Sequence, residues 1–482
     1  MIKHLLERLV KVKNIEILAL ALILSIGFSL RLYKINAPIA DWHSFRQADT
    51  ASVTRYMQTG EGSLFYPKYH DISRVQSGMD NPEGFRYVEL PIYNFITAKL
   101  FQYVGIFNLE VWGRLVSILC ALATASLLFL LGKRYISPVG GLLATLFYLF
   151  LPFNIYFTRT LLPEPMAVFL GVLALFLFSE FIERKSNSYL LASAFIFALA
   201  ILVKPYIAFY GVPIGYLALS KYKLRNILAN LYFVSAFTIV VLPFFAWRYF
   251  ISAHPEGIPF WAWTFNGDGI RFKPAFWYWI LGERLGKLIL GFLGILPFAV
   301  GIMATDVKRR FLHYFALGML LYVSTIATAN VKHDYYQVLI IPMVALVVSW
   351  GSIKLWYTKD LNQKVARFVL IIALGVMFMT GAMQVREFYK INHPEIIEAG
   401  KMVDKLTPND ALIIASYNGD TAFLYHTKRR GWPVVELPID ELIAKGASYF
   451  VSVNLNDRQT IEFIERFETV SRTNSYVLLK LK

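Results

Sequence analysis

Residues 41–50, DWHSFRQADT, concentrate chemically active side chains directly after a long apolar run. The stretch contains two carboxylates, Asp41 and Asp49, together with His43 and Arg46. A carboxylate can act as the general base that takes a proton from an attacking hydroxyl group. An arginine can bind a phosphate group through two parallel hydrogen bonds. The stretch therefore predicts a site for proton transfer and anion binding.

Asp49 also has a purely structural interpretation. Aspartate is a favoured N-cap residue, and a helix is predicted to begin at ASVTRYM, which starts two residues after Asp49. A helix cap and a catalytic acid are compatible roles, so the sequence leaves both open at this position.

Further acidic, basic and aromatic groups of the same kinds lie in later polar stretches, mainly TRTLLPEP, ILVKPY and NVKHDYYQ. These further candidates are Glu89, Arg159, Glu164, Lys204, His333 and Tyr336. Because the stretches follow different apolar segments on one predicted side of a membrane, their side chains can converge on one pocket.

Several of these residues have simpler interpretations. Glu164 stands between two prolines at the start of an apolar segment, where an acid suits the positive end of a helix. Lys204 can be a lysine whose ammonium group reaches from an apolar surface to water. His333 can be a solvated loop residue, and Arg31 and Arg114 are expected at the membrane interface because they lie near the ends of apolar segments.

The elements that must position these residues are membrane-spanning helices. Of the 482 residues, 57% are hydrophobic and 17% are charged, whereas soluble domains average about 25% charged residues. A spanning helix needs about 20 mostly apolar residues. Eleven spans are predicted, at 16–35, 111–132, 138–155, 165–182, 189–203, 206–220, 228–250, 285–304, 311–328, 336–356 and 366–384. The net charge of +16 then reflects basic cytoplasmic loops and does not indicate a nucleic-acid partner.

The distribution of basic residues predicts the orientation of the chain. Lysines and arginines cluster before the first span and between alternate spans, at Lys3, Arg8, Lys11, Lys13, Lys133, Arg134, Arg184, Lys185, Lys221, Lys223, Arg225, Lys308, Arg309, Arg310, Lys354, Lys359, Lys364 and Arg367. By the positive-inside rule this side is cytoplasmic. The odd number of spans places the C-terminus outside, in a multi-pass protein of the cytoplasmic membrane whose first apolar run is a retained helix.

Residues 90–107, LPIYNFITAKLFQYVGIF, are predicted as an interfacial helix and not as a further span. Their apolar residues recur with helical spacing on one face, and Asn94, Thr97, Lys99 and Gln102 occupy the other. Such a helix fits the outer membrane surface. Counting it as a span would place every later basic cluster outside.

From about residue 385 the composition changes and no spanning segment follows. Strands are predicted at ALIIASY, WPVVEL, SYFVSVN and SYVLLKL, with helices at DTAFLYHTKR, IDELIAKG and DRQTIEFIERF. This alternation predicts a small α/β layer with a largely parallel sheet. The predicted domains are therefore a membrane domain, 1–384, and an extracytoplasmic α/β domain, 385–482.

The order of these motifs resembles the GT-C superfamily of integral-membrane glycosyltransferases. The resemblance rests on HSFRQADTA, RTLLPEP, the ILVKP hairpin and KHDYYQVLIIP, and it covers roughly residues 10–380. Within the superfamily the chain is most similar to bacterial relatives of protein O-mannosyltransferases and of the aminoarabinose transferase that acts on lipid A. The resemblance implies a polytopic α-helical membrane fold of GT-C type, with the soluble C-terminal domain as a common addition.

The resemblance also indicates which acids matter. Many members carry Asp-Glu in the first outer loop, followed two residues later by Arg-Tyr-Ala-Glu. Arg46 and Asp49 match the arginine and the last glutamate of this pattern, but the Asp-Glu pair falls on His43 and Ser44. The essential first-loop acid is then either Asp41 or Asp49, with Asp41 slightly preferred.

Two glutamates match the family at other positions. Glu164 corresponds to a second essential carboxylate, in the short second outer loop before a proline. Glu89 corresponds to a recurring glutamate near the juxtamembrane helix.

The implied function is transfer of a sugar from a polyprenyl-phosphate donor to a lipid, glycan or protein acceptor at the outer face of the cytoplasmic membrane, with inversion. Asp41 or Asp49 is the expected general base, and Glu164 the group that orients the acceptor, the base or a divalent metal. The expected substrate-binding residues are His43, Arg46, Glu89, Arg159, Lys204, His333 and Tyr336. Of these, Arg46, Arg159, Lys204 and His333 are the candidates for stabilising the donor phosphate. No cofactor is certain, and a metal held by Asp41 and Glu164 is left open. Membrane lipids are further expected partners.

Two other classes of protein remain as alternatives. A polymerase or ligase of glycans linked to polyprenyl diphosphate shares the outer face and the lipid carrier, but it typically has a large later outer loop rich in arginine and histidine. A transporter would place ionisable residues in the middle of broken helices, with internal repeats. Here the charged residues lie at the ends of predicted spans and in loops, which favours sugar transfer.

Overall fold

The structure is a computed structural model that describes residues 14–304, 306 and 309–482. Lys3, Arg8, Lys11, Lys13 and Lys308, which contribute to the predicted orientation, lie outside these residues. The described chain is largely helical. Its α-helices are Asn14–Arg31, Ser44–Thr59, Ile92–Val104, Leu109–Tyr135, Pro138–Phe150, Pro152–Phe157, Glu164–Arg184, Asn187–Val203, Gly211–Leu219, Leu224–Ala229, Leu231–Ile251, Trp263–Asn266, Pro274–Trp277, Ile295–Met303, Arg310–Thr325, Ala327–Lys332, Ile341–Trp356, Gln363–Val385, Glu395–Leu406, Thr421–Thr427, Ile439–Ala444 and Arg458–Arg466.

Five 3₁₀ helices and one π-helix, Tyr278–Ile289, lie between several of these α-helices in the described part of the chain. They are Pro205–Tyr210, Pro255–Gly257, Gly267–Phe272, Tyr278–Ile289, Asp334–Ile340 and Arg386–Tyr389.

Six helices in the described part of the chain are long and apolar enough to cross a membrane. They are Asn14–Arg31, Leu109–Tyr135, Glu164–Arg184, Leu231–Ile251, Asp334–Trp356 and Gln363–Tyr389. Three shorter apolar helices, Pro138–Phe150, Asn187–Val203 and Pro205–Leu219, coincide with further predicted spans. The chain is therefore a multi-pass membrane protein, as its sequence predicts.

Several predicted spans are interrupted, and two of these breaks have a clear local cause. The span predicted at 138–155 breaks at Leu151 because Pro152 has no N–H group and restricts the residue before it. The span predicted at 285–304 breaks after Ile289, where Gly291 has φ +48° and a Cβ atom would overlap the carbonyl oxygen of Met377. Only glycine fits such a site, and its backbone freedom ends the helix.

The described residues form two compact units. The first holds the described residues up to Ile35, Leu115–Ala246 and Trp261–Glu387. The second holds Asn36–Arg114, Trp247–Phe260 and Phe388–Lys482. The first is the helical membrane unit, and the second, which contains the strands, is called the sheet unit below. The predicted division at residues 384 and 385 stays a prediction.

In the sheet unit, residues 90–107 form the expected helix, Ile92–Val104. At about 20 Å it is too short to cross a bilayer. Phe95 and Tyr103 of the predicted apolar stripe are exposed. Asn94, on the polar face, is buried and donates to the carbonyl oxygen of Thr50 at 2.6 Å. The polar face is therefore the one that packs against protein.

The sheet has five strands, β1 to β5. Their bounds are Leu412–Ser416, Arg430–Trp432, Ala447–Ser452, Glu468–Arg472 and Val477–Lys480. The spatial order is β2-β1-β3-β5-β4, in which β1 pairs parallel with β2 and β3. Its hydrophobic core includes Ile414, Trp432 and Phe450.

The prediction of a largely parallel sheet is wrong at one side, where β5 pairs antiparallel with β3 and β4. The strand β4 was not predicted, because Glu468–Arg472 lacks buried apolar residues. Only a tight turn, closed by the hydrogen bond from Thr473 N to Tyr476 O, separates β4 from β5. A parallel pair needs a far longer connection, so the turn fixes the antiparallel pairing. WPVVEL contributes only Trp432 to a strand.

Candidate active site

The helix Ser44–Thr59 positions the first-loop candidates. It begins after His43, whose left-handed backbone, with φ 55° and ψ 38°, is uncommon outside glycine. The Nε2 of Gln47 donates to Oδ1 of Asp41 at 2.8 Å and to the carbonyl oxygen of Trp42 at 3.2 Å. Asp41 and Gln47 are both buried. One side chain of the helix thus holds the Asp41 carboxylate against the helix start.

Asp49 is not an N-cap. The helix begins at Ser44, so Asp49 lies within it and is 2% exposed. Its Oδ2 accepts a hydrogen bond from Nη2 of Arg86 at 2.6 Å, and its Oδ1 accepts one from Oγ1 of Thr421 at 2.7 Å. The cap prediction is wrong because the turn at His43 starts the helix without any side-chain cap. The Asp49 carboxylate instead joins three segments of the sheet unit.

Arg46 and Glu89 form a buried ion pair. Nη2 of Arg46 lies 2.5 Å from Oε1 of Glu89, and the two side chains are 10% and 8% exposed. Oε2 of Glu89 is buried and has no hydrogen-bond partner among the described residues. Glu89, which is also a predicted site residue, thus neutralises the charge of Arg46.

Three titratable groups surround Asp49 in the sheet unit. Burial raises the pKa of Asp71 and of Asp420 to about 6, and the charge of Asp49 acts in the same direction. Burial lowers the pKa of His70 to about 4, so this imidazole is neutral at pH 7. Its Nε2 lies 3.1 Å from the carbonyl oxygen of Thr421. This cluster therefore gains or loses charge in the acidic range.

In the membrane unit, Glu164 and Lys204 form a second buried ion pair. Glu164 is the first residue of the helix Glu164–Arg184, and Lys204 follows the helix Asn187–Val203 in extended conformation. Nζ of Lys204 lies 2.6 Å from Oε1 of Glu164, and the side chains are 5% and 0% exposed. The lysine therefore does not reach toward water.

An aromatic side chain accompanies this pair. Nζ of Lys204 lies 5.2 Å from the ring centroid of Tyr336 and 5.9 Å from that of Tyr206. A ring face attracts a cation, and the attraction is larger when both are removed from water. The structure thus brings three predicted site residues together, Glu164, Lys204 and Tyr336.

Arg159 lies in the same unit and is 1% exposed. Its Nη1 donates to the carbonyl oxygen of Lys34 at 3.2 Å, and its guanidinium carbon lies 5.3 Å from the ring centroid of Tyr156. Arg31 fixes the preceding residue, because its Nε donates to Oγ1 of Thr158 at 2.8 Å. The loop that presents Arg159 is therefore held from one side by a second arginine.

Arg31 and Arg114, which are predicted at the membrane interface, are both fully buried within the protein. Backbone carbonyl groups accept hydrogen bonds from both guanidinium groups. Nη1 of Arg31 donates to Leu149 O at 3.0 Å, and Nη1 of Arg114 donates to Ala37 O at 2.6 Å. Hydrogen bonds of this kind are what makes a buried charge tolerable.

His333 is half-buried between two short helical turns. Its ring packs edge-on against Trp263, with centroids 5.7 Å apart, and stacks on Tyr335 at 5.5 Å. The next residue, Asp334, is buried and forms an ion pair with Arg284. The histidine is thus an aromatic contact of the membrane unit and not a freely solvated loop residue.

The partners of the predicted acids were missed by sequence reasoning. Gln47 lies inside the first chemical stretch, and Arg86 lies three residues before Glu89, so both had a local signal. Thr421 and Arg284 had none, because they are far in sequence from Asp49 and Asp334. Hydrogen bonding across such distances depends on the fold alone.

The described residues contain no group of three or more His, Cys, Asp or Glu side chains placed to hold a metal ion. Of the two predicted ligands, Glu164 is ion-paired with Lys204, and Asp41 accepts a hydrogen bond from Gln47. Both acids thus have protein partners among the described residues, and a metal held by them stays a prediction.

The chain resembles known proteins in two ways: part of its sequence matches a protein family, and its fold matches solved structures. Residues 90–247 match the family of dolichyl-phosphate-mannose-protein mannosyltransferases. A search of curated protein sequences finds no match. The predicted resemblance to GT-C glycosyltransferases is therefore supported in sequence by one third of the chain.

Solved structures match almost the whole chain. ArnT from Cupriavidus metallidurans bound to undecaprenyl phosphate has 13% identity and a TM-score of 0.67 over 95% of this chain and 97% of that one. The Archaeoglobus fulgidus oligosaccharyltransferase in complex with Zn and sulfate has 9% identity and a TM-score of 0.57 over 90% and 68%. The arabinofuranosyltransferase AftD from Mycobacteria has 12% identity and a TM-score of 0.59 over 96% and 40%.

These matches confirm the predicted fold class, a polytopic helical membrane protein of GT-C type with a small strand-containing C-terminal part. The family model adds a match in sequence over residues 90–247.

Proposed function

We propose that this chain, which has the fold of GT-C glycosyltransferases, transfers a sugar from a polyprenyl-phosphate donor to an acceptor hydroxyl at the outer face of the cytoplasmic membrane. The choice of donor is supported by the fold match to ArnT, which was solved bound to undecaprenyl phosphate. The acceptor is a lipid, a glycan or a protein.

One observation carries the proposal, the buried Glu164–Lys204 pair with its 2.6 Å contact. It holds an acid and a cation together at the start of a helix, with Tyr336 against the lysine. A donor phosphate offers Lys204 a second anionic partner. Binding of that phosphate would draw the ammonium group from Glu164 and leave the carboxylate to orient the acceptor hydroxyl.

The leaving group needs fixed positive charge. Breaking the bond between the sugar C1 and the phosphate oxygen adds negative charge to the phosphate, and preorganised cations stabilise it. We assign this role to Lys204 and Arg159, with His333 as a further contact. Arg46 is a weaker candidate because Glu89 already offsets its charge at 2.5 Å.

Asp41 is the better candidate for the general base. Both oxygens of Asp49 already accept hydrogen bonds, from Arg86 and from Thr421, and these bind it to the fold of the sheet unit. Asp41 is held by Gln47 at 2.8 Å, which would orient one carboxylate oxygen. A base must be within hydrogen-bond reach of the proton that it takes.

The proposed reaction is a single displacement. The acceptor oxygen attacks C1 from the face opposite the phosphate and forms the new C1–O bond. The old C1–O bond breaks, and its electron pair leaves with polyprenyl phosphate. Asp41 takes the proton of the acceptor hydroxyl. Attack from the opposite face inverts the configuration at C1.

The orientation belongs to the same proposal. The basic clusters favour a cytoplasmic N-terminus, with membrane domain 1–384 followed by an outer domain 385–482. A phosphatase that is active only when exported, fused after residue 482, should be active. An inactive, well-expressed fusion would contradict both the orientation and an outward-facing Asp41.

The direct test is sugar transfer by the purified full-length protein. The donors are a panel of labelled sugars on polyprenyl phosphate and on polyprenyl diphosphate, and the readouts are released polyprenyl phosphate and the anomeric configuration of the product. Inverted product from a monophosphate donor supports the proposal. Turnover of diphosphate donors alone would assign the chain to the polymerase or ligase class instead.

A further inference from the structure

A cavity of about 810 Å³ lies in the membrane unit, at the C-terminal end of the apolar helix Asp334–Trp356 that carries Tyr336 near its start. Residues of the helices Ile295–Met303 and Ile341–Trp356 and of the loop 357–361 line it. This is the end of the helices that the basic clusters assign to the cytoplasm.

The wall of the cavity has two kinds of surface. Val300, Met303 and Ile353 form an apolar part. Lys354 and Lys359 add two exposed ammonium groups, and none of the described carboxylates forms an ion pair with either. Asp360 is the acid of the lining, which leaves the lysines in excess. An amphipathic, net-positive wall fits a molecule with an anionic head and an apolar body.

Trp350 lines the cavity, and its indole ring contacts two basic side chains. Nζ of Lys354 lies 4.7 Å and the guanidinium carbon of Arg309 3.9 Å from the ring centroid of this indole. The indole is 4% exposed, and its N–H has no hydrogen-bond partner among the described residues. Arg309 is already ion-paired with Asp306. The charge left for a ligand is therefore that of the two lysines.

We propose that this cavity binds an anionic phospholipid, with the headgroup phosphate on Lys354 and Lys359 and the first acyl carbons against the apolar wall. Basic pockets between spanning helices are suited to anionic lipid headgroups. A soluble phosphate compound would leave the apolar wall uncovered. The site is independent of the proposed sugar transfer.

The test measures binding of phosphatidylglycerol to the full-length protein in nanodiscs, with phosphatidylcholine as the neutral lipid, by native mass spectrometry of retained lipid. Lys354→Ala with Lys359→Ala should weaken retention of phosphatidylglycerol about 25-fold, since each lysine near a membrane surface contributes about fivefold, or about 1 kcal/mol. The matched control is Lys221→Ala with Lys223→Ala, which removes the same charge from another basic loop.

Lys359→Ala alone tests the site without disturbing Trp350, because Lys359 lies in the exposed loop. It should weaken retention about fivefold. Equal losses in the two double variants, or wild-type retention in Lys359→Ala, would overturn the proposal. So would displacement of the lipid by millimolar inorganic phosphate, which would assign a soluble anion to the cavity.

Discussion

Two of the buried acid–cation pairs, one in each unit, are alike in geometry and unlike in surroundings. Lys204 lies 2.6 Å from Glu164, and Arg86 lies 2.6 Å from Asp49. Asp49 gives its second oxygen to Thr421. Neither oxygen of Glu164 has hydrogen-bond geometry with a described residue, and the pair lies against aromatic rings.

This difference separates a structural pair from a candidate catalytic one. A buried ion pair is tolerable only when its remaining lone pairs are satisfied, and Asp49 meets that condition within the fold. Glu164 keeps hydrogen-bonding capacity for a ligand. Burial and a short contact alone therefore do not distinguish the two acids, whereas their remaining hydrogen-bonding capacity does.

The largest expected effect is on turnover. Asp41→Asn should lower sugar transfer by about 10²–10⁴-fold, because an amide keeps the shape of the carboxylate but is not a base. Glu164→Gln, made separately, should lower it as well, because the neutral amide no longer pairs with Lys204 and orients the acceptor hydroxyl less firmly. The measurement is transfer from a labelled polyprenyl-phosphate donor by monodisperse protein. Asp410→Asn, an exposed acid of the sheet unit, is the control and should retain full activity. Near-wild-type turnover in both variants would move the chemistry away from these acids.

Asp49→Asn should act on stability first. It leaves the buried Arg86 without its counter-charge, and breaking a buried pair costs about 3–5 kcal/mol. The measurement is thermal unfolding, compared with the double variant Asp49→Asn with Arg86→Met, which removes the stranded charge and should recover part of the loss. A helix cap predicts the opposite, since asparagine caps as well as aspartate. Unchanged stability would make the two pairs indistinguishable.

Lys204→Ala should weaken binding of a polyprenyl-phosphate sugar about 10–100-fold, because a hydrogen bond to a charged group is worth about 1.5–3 kcal/mol. Donor affinity is measured by displacement of a labelled polyprenyl phosphate. Lys273→Ala, which removes an exposed charge elsewhere in the membrane unit, should bind as the wild type does. Wild-type affinity in the folded variant combining Lys204→Ala with Arg159→Ala would refute both assignments.

The smallest expected effect concerns pH. Burial raises the pKa of Asp71 to about 6, so its contribution to stability is fully present below its ordinary pKa and is lost as the pH rises through about 6. Asp71→Asn should therefore gain about 1.4 kcal/mol relative to the wild type between pH 5 and pH 8, one pKa unit of the shift. Thermal unfolding at both pH values measures it. A gain of the same size in Asp410→Asn would exclude burial of Asp71 as the cause.

Sequence periodicity could predict the membrane helices because about 20 apolar residues are needed to cross a bilayer. It could not predict the start of the helix Ser44–Thr59, since the turn at His43 has no side-chain cap to mark it. The sequence-based prediction therefore placed Asp49 at the start of a helix, whereas Asp49 lies inside the helix Ser44–Thr59. The break near Gly291 was hidden for a similar reason, because it depends on the carbonyl group of Met377 on another helix.

The acids of the site were visible in the sequence and their partners were not. Glu164 and Asp41 stand in short polar stretches, and residue type alone suggests chemistry there. Whether an acid is free for chemistry depends on contacts such as Thr421 with Asp49, which no local pattern encodes. The choice between Asp41 and Asp49 therefore needed the structure.

The pairing of residues 70–72 with β2 has a consequence for the C-terminal segment as a separate protein. Ile72 N donates to Gly431 O, Gly431 N donates to His70 O, and Ile72 belongs to the sheet core. Residues 385–482 expressed alone would present β2 as an open edge beside a vacancy in the core. Unprotected edges join other chains. Such a fragment is therefore prone to aggregation, and a stable sheet unit would have to include the segment around residues 70–72.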